Sequence, residues 1–114
     1  MDTPMNIAMV DAGGNLVTFE RMDGAWLGSI SIAIDKAYTA RAFDMSTKEL
    51  KKIAQPGEVC YGIHSTNDSR IVIFDCGVPL KDGDTIVGAI GVSGGLADSE
   101  DHPVAEAGVA IFGS

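Results

Sequence analysis

Cysteine is scarce in this chain. Only Cys60 and Cys76 occur, far apart, with no CxxC spacing and no pair of histidines beside them. That excludes a zinc knuckle and a disulfide-stapled scaffold. Two thiols is the reading, with a single disulfide as the alternative. Positive charge is scarce too: 8 Lys and Arg stand against 16 Asp and Glu, for a net charge of -8. The few cations are scattered, so neither nucleic acid nor an anionic membrane surface is an expected partner. No apolar run approaches the roughly 18 residues of a membrane-spanning helix. The opening MDTPMNIAMV lacks the basic segment and apolar run of a signal peptide, so a cytoplasmic protein is expected. No GxSxG elbow is present, and no glycine loop ends in the GKS/T of a phosphate-binding loop.

What is abundant is small and apolar. The 114 residues are 46% hydrophobic, with 14 glycines gathered at turns and strand edges. One domain over residues 1–114 is expected, long enough to bury a core without staples.

The chain is organised around Val10–Phe43. Asn6–Val10 and Leu16–Met22 read as two strands joined by the turn Asp11-Ala12-Gly13-Gly14-Asn15, because glycine takes the positive φ such turns need. Both faces of Leu16–Met22 are mixed, which leaves its buried side open. Gly28-Ser29 opens a helix with Ser29 as N-cap. Ile30, Ala33, Ile34, Ala37 and Tyr38 follow helical spacing. Its small residues allow close approach by either a sheet or a partner subunit. Ser46 and Glu49 have capping-box spacing at the start of a short helix that Pro56-Gly57 stops. Glu58–Arg70 is irregular. Ile71–Phe74, Gly77–Leu80 and Thr85–Ser93 read as strands, with Pro79 at an edge. Gly88 and Gly91 mark a close approach by another backbone or a ligand. Asp98–Asp101 and Pro103 open a C-terminal helix that includes Val104 and Phe112. Hairpin connections make this an α+β domain with an antiparallel sheet.

Several short motifs, in this order, resemble the GlcG/HbpS-like haem-degrading or haem-binding family, which includes the C-terminal domain of PduO-type proteins. They are Val10–Leu16, Arg21–Ala25, Ser29-Ile30, Lys36–Ala40, Gly77–Leu80, Val87–Gly94 and Asp101–Gly108. The resemblance implies a profilin-like α/β/α sandwich with a five-stranded antiparallel sheet. It implies homo-oligomers, tetramers or octamers, and a small-molecule ligand: haem or a related tetrapyrrole. Family members usually carry a helix before the first strand, with the histidine implicated in haem ligation in that region. Here the chain starts almost at the strand, and no His precedes His64.

The residues themselves offer these candidates. Lys36, Arg21 and Arg41 are cations able to meet ligand carboxylates such as haem propionates, or to pair with Asp35, Asp23 or Glu20. His64 and His102 are able to ligate haem iron or a divalent metal. His102 and Glu106 share a helix face and form the candidate metal pair; otherwise they belong to a solvated acidic helix start. Ser93 and Gly94 end a strand where backbone N–H groups are able to meet an anion. Asp11 is either an acid/base group or a turn former. Trp26 and Tyr38 either stack on a planar ligand or fill a core or interface. Three functions remain: a small-ligand-binding protein, an oligomeric accessory or assembly module for a metabolic enzyme, and an enzyme acting on a small hydroxy-acid or carbonyl substrate.

Overall fold

The structure, a computed structural model, describes residues 4–94. Four strands form one antiparallel sheet: β1 (Asn6–Asp11), β2 (Leu16–Arg21), β3 (Gly77–Asp82) and β4 (Thr85–Ser93), in the order β2-β1-β4-β3. Two helices accompany it, α1 (Gly28–Phe43) and α2 (Thr47–Ile53).

The Asp11–Asn15 segment turns as its residues dictate. Gly14 takes φ 79°, and Asp11 Oδ1 accepts from the N–H groups of Gly13 (2.9 Å) and Asn15 (3.0 Å). β2, whose buried side the alternation left open, is an edge strand; only Phe19 is partly covered. Pro79 also lies on an edge, in β3, where its missing N–H interrupts no ladder.

α1 lies directly on the sheet, which decides between sheet and partner for its small residues. Ala33, Ala37 and Ala40 are fully buried. They meet a row of equally small residues, Ala8, Gly91 and Gly77, paired across β1, β4 and β3. A Cβ at Gly91 would collide with the Ala33 carbonyl and stand 2.6 Å from the Ala37 nitrogen; one at Gly77 would collide with the Lys36 carbonyl. Val10 and Ala89 continue this layer against Ala37 and Ala40. Alternation sends Ile90, Val92 and Leu80 to the opposite face, where they cluster with Met5 and Cys76.

Two expectations need correction. The sheet has four strands among the described residues, because Ile71–Phe74 is not one of the five. Its backbone binds α1 instead: the Val72 N–H donates to Thr39 Oγ1 at 3.0 Å, and the same hydroxyl contacts the Asp35 and Arg70 carbonyls. Ser29 is not the N-cap of α1. Leu27 holds that position, without a side-chain cap, and Ser29 is buried in the first turn. Cys60 and Cys76 are both thiols, as the sequence reading has them. The α2 cap is as the spacing predicts, with Ser46 Oγ accepting from the Glu49 N–H at 3.1 Å. The expected C-terminal helix, with Val104 and Phe112, lies outside the described residues.

Gly91→Ala is expected to cost about 3 kcal/mol, because backbone on α1 cannot yield to the new methyl. Gly28→Ala, with nothing near its Cβ position, is expected to stabilise by about 0.5 kcal/mol. Ser46→Ala is expected to cost about 1 kcal/mol. Urea unfolding of the three variants checks all of these.

Candidate functional site

The row Arg21–Asn6–Ser93 crosses β2, β1 and β4 at the end of the sheet where α1 begins. Asn6 is wholly buried, and its Nδ2 donates to the Trp26 carbonyl at 3.0 Å. This bond and the Arg21 guanidinium, which donates to the Ala25 carbonyl at 2.8 Å, pin the corner between β2 and α1. The pinned corner presents Trp26 (65% exposed) and Leu27 (71%) outward, with Met22 beside them in sequence at 41%. Asn6 Oδ1 is buried and has no hydrogen-bond partner among the described residues. Gly94 follows Ser93 with φ 144°, and a Cβ there would lie 2.6 Å from the Pro4 carbonyl oxygen. Pro4, Gly24, Trp26 and Gly94 line a hollow of about 90 Å³.

Lys36 belongs to this end. Its side chain runs between α1 and β4 and is 1% exposed. Its Nζ donates to the Val92 carbonyl at 2.8 Å and sits 5.1 Å from the centre of the Phe74 ring. A buried ammonium needs such partners, since an unmatched charge is costly in a low-dielectric interior. Asp35 pairs instead with Arg70, at 3.3 Å. Thus four candidates, Arg21, Lys36, Ser93 and Gly94, meet at one end of the sheet.

His64 does not join them. It is exposed in a single 3-10 turn, Ile63–Ser65, edge-on to Tyr61 with ring centres 6.1 Å apart. Its loop is tied to α1 by Asn67 Nδ2, which donates to the Tyr38 hydroxyl at 3.0 Å. Tyr38 lies ten residues beyond Gly28, about 15 Å along the helix axis. His102 and Glu106, the candidate metal pair, lie outside the described residues. Among the described residues, no three His, Cys, Asp or Glu side chains come together to hold a metal ion.

Sequence reasoning missed two features. Asn67, Asp68 and Ser69 form a run of non-glycine residues with φ of 53°, 58° and 62°. Left-handed backbone costs about 1–2 kcal/mol per residue, least for Asn and Asp, whose presence was the available signal. The run stands beside a groove of about 300 Å³ lined by Gly13, Gly14, Tyr38, Arg41 and Asn67. The second feature is a hollow of about 400 Å³ on α2, lined by Lys48, Lys51, Lys52 and Asp75. Asp75 is 3% exposed and lies 3.8 Å from Lys51 Nζ. Only its distance from α2 in sequence hid it.

Asp11 acts as a turn former. The Asn15 N–H holds its carboxyl below the ordinary value of 3.8; desolvation opposes this, and the Gly13 N–H and the Asn15 side chain add smaller lowering effects.

One antiparallel sheet beneath a small-residue helix, with a pinned aromatic and cationic corner, defines a small mixed α/β domain. The chain belongs to the family described as haem degrading protein HbpS-like, which matches residues 1–110. It is 39% identical to an uncharacterized 15.0 kDa protein of the dhaT-dhaS intergenic region of Citrobacter freundii, over 98% of this chain and 78% of that protein. It is 36% identical to the corrinoid adenosyltransferase PduO of Citrobacter freundii, again over 98% of this chain but only 33% of that protein. Among solved structures, the PduOC:heme complex is 34% identical with a TM-score of 0.91, covering 95% of this chain and 78% of that one.

Asp11→Asn removes the charge and keeps the shape. The folded-state pKa of Asp11 lies below its unfolded value, so its stabilisation is complete above about pH 3.8 and fades as pH falls through the lowered value. The variant is therefore expected to be less stable than the parent at pH 7, with the gap closing below pH 3.8 in unfolding measured across pH.

Proposed function

We propose that this protein is a small-ligand-binding protein that holds haem or a related tetrapyrrole. The observation that carries this reading is the 34% identity and TM-score of 0.91 to a chain described as a haem complex. The residues at the pinned corner fit such a group in kind. Exposed Trp26, Leu27 and Met22 offer an apolar surface for one face of a macrocycle. Arg21, exposed beside them, offers its guanidinium to a propionate. Gly94 lines the hollow beside Trp26, with Ser93 and Lys36 buried, and backbone N–H groups near Gly94 favour an anion.

The hollow of about 90 Å³ is far too small to enclose a macrocycle, so the ligand lies on the corner rather than inside it. A second copy of the chain then covers its other face, and the functional form is a tetramer or octamer. The edge of β2, unpaired among the described residues and with Leu16 and Val17 48% and 58% exposed, supports association. His64 is the proposed axial ligand among the described residues, with His102 and Glu106 as the alternative metal pair. Because the loop of His64 is tied to Tyr38, about 15 Å along α1 from the start of the helix at the corner, it would reach the iron from a neighbouring copy.

Absorbance titration with hemin tests the reading. Saturable binding with a shifted Soret band is expected. Arg21→Gln is expected to weaken it about tenfold, and His64→Ala or His102→Ala to abolish the shift. Weak, featureless binding by all forms, together with a stable oligomer by light scattering, would favour an assembly module instead.

A further inference from the structure

A second site lies away from the proposed haem corner, where the C-terminal half of α1 meets the β1–β2 turn. We infer that the groove between Tyr38, Arg41, Asn67 and the Gly13-Gly14 turn binds a small carboxylate. The groove holds about 300 Å³, the lower end of the range for small-molecule sites.

Two donors are left over in it. The Tyr38 hydroxyl accepts from Asn67 Nδ2 at 3.0 Å, so its own O–H proton remains to be donated. Arg41 uses Nε on the Ala12 carbonyl at 2.7 Å and Nη1 on Asp44, while Nη2 has no partner among the described residues. Tyr38 and Arg41 are three residues apart, on one face of α1. A carboxylate presents two acceptor oxygens, which match one hydroxyl and one guanidinium N–H. Asp44 shares Arg41 and makes the site one of modest affinity; its side chain is half exposed and free to turn into solvent.

The surroundings hold these donors in place. Arg70 stacks on the Tyr38 ring at 3.8 Å from its centre and pairs with Asp35. A Cβ at Gly14 would stand 3.5 Å from the same ring, so a bare turn keeps the groove open. The left-handed run Asn67–Ser69 places the Asn67 amide against the Tyr38 hydroxyl. Backbone held in such a conformation is found where surrounding structure has a use for it. The proposal combines the cavity with donors whose other bonds are already assigned; the backbone alone would not carry it.

Sodium lactate is the probe, titrated into 15N-labelled protein at constant ionic strength with sodium chloride as control. Saturable shifts are expected at the amides of Gly13, Gly14 and Asn67. Tyr38→Phe and Arg41→Gln are each expected to weaken lactate binding at least tenfold, with the rest of the spectrum unchanged. Shifts matching those of chloride would overturn the proposal, as would both variants keeping the parent affinity. Hemin binding uses other residues, so its success or failure leaves this outcome independent.

Discussion

The contact between α1 and the sheet has no side chains to act as spacers, and most of the structure depends on it. Gly91 and Gly77 offer bare backbone to the carbonyls of Ala33 and Lys36, and Ala37 and Ala40 close the rest. Packing this tight fixes the height of the helix over the strands. It also forces any long side chain on that face to lie flat. Lys36 is the consequence: trapped beside Gly91, its stem runs along the sheet until the ammonium finds the Val92 carbonyl and the Phe74 ring. The close approach thereby delivers a cation to the same end of the sheet as Ser93 and Arg21.

Both ends of α1 are tied to the sheet by polar groups that leave neighbouring chemistry exposed. At its start, Asn6 and Arg21 spend their donors on the Trp26 and Ala25 carbonyls, and Trp26 is held facing outward. A large aromatic gains most by burial, so its exposure at a pinned corner fits a surface that another molecule covers. At its far end, Arg41 binds the β1–β2 turn through the Ala12 carbonyl, and Tyr38 anchors the Asn67 loop. Two grooves of different character therefore flank one helix.

The family relationship constrains the reading without exhausting it. PduO is about three times the length matched here, so its adenosyltransferase activity is a property of a larger protein. The haem-complex chain matches 95% of this chain, which covers 78% of it.

The sequence by itself determined the hairpin, both helices, the two glycine-marked strands and the α+β class. These follow from local rules: turn glycines, helical spacing, and the Ser46 cap acting within three residues. It also named Arg21, Lys36, Ser93 and Gly94, through chemistry and family motifs. Only the tertiary structure decided that these four meet, that β2 is an edge, and that α1 lies on the sheet rather than a partner. The same holds for Ile71–Phe74: an apolar run of four fits a strand, yet Thr39 takes its backbone bond instead. The groove of Tyr38, Arg41 and Asn67 was illegible for the same reason. Its parts come from three segments whose proximity is set by packing at long separation, which no local pattern encodes.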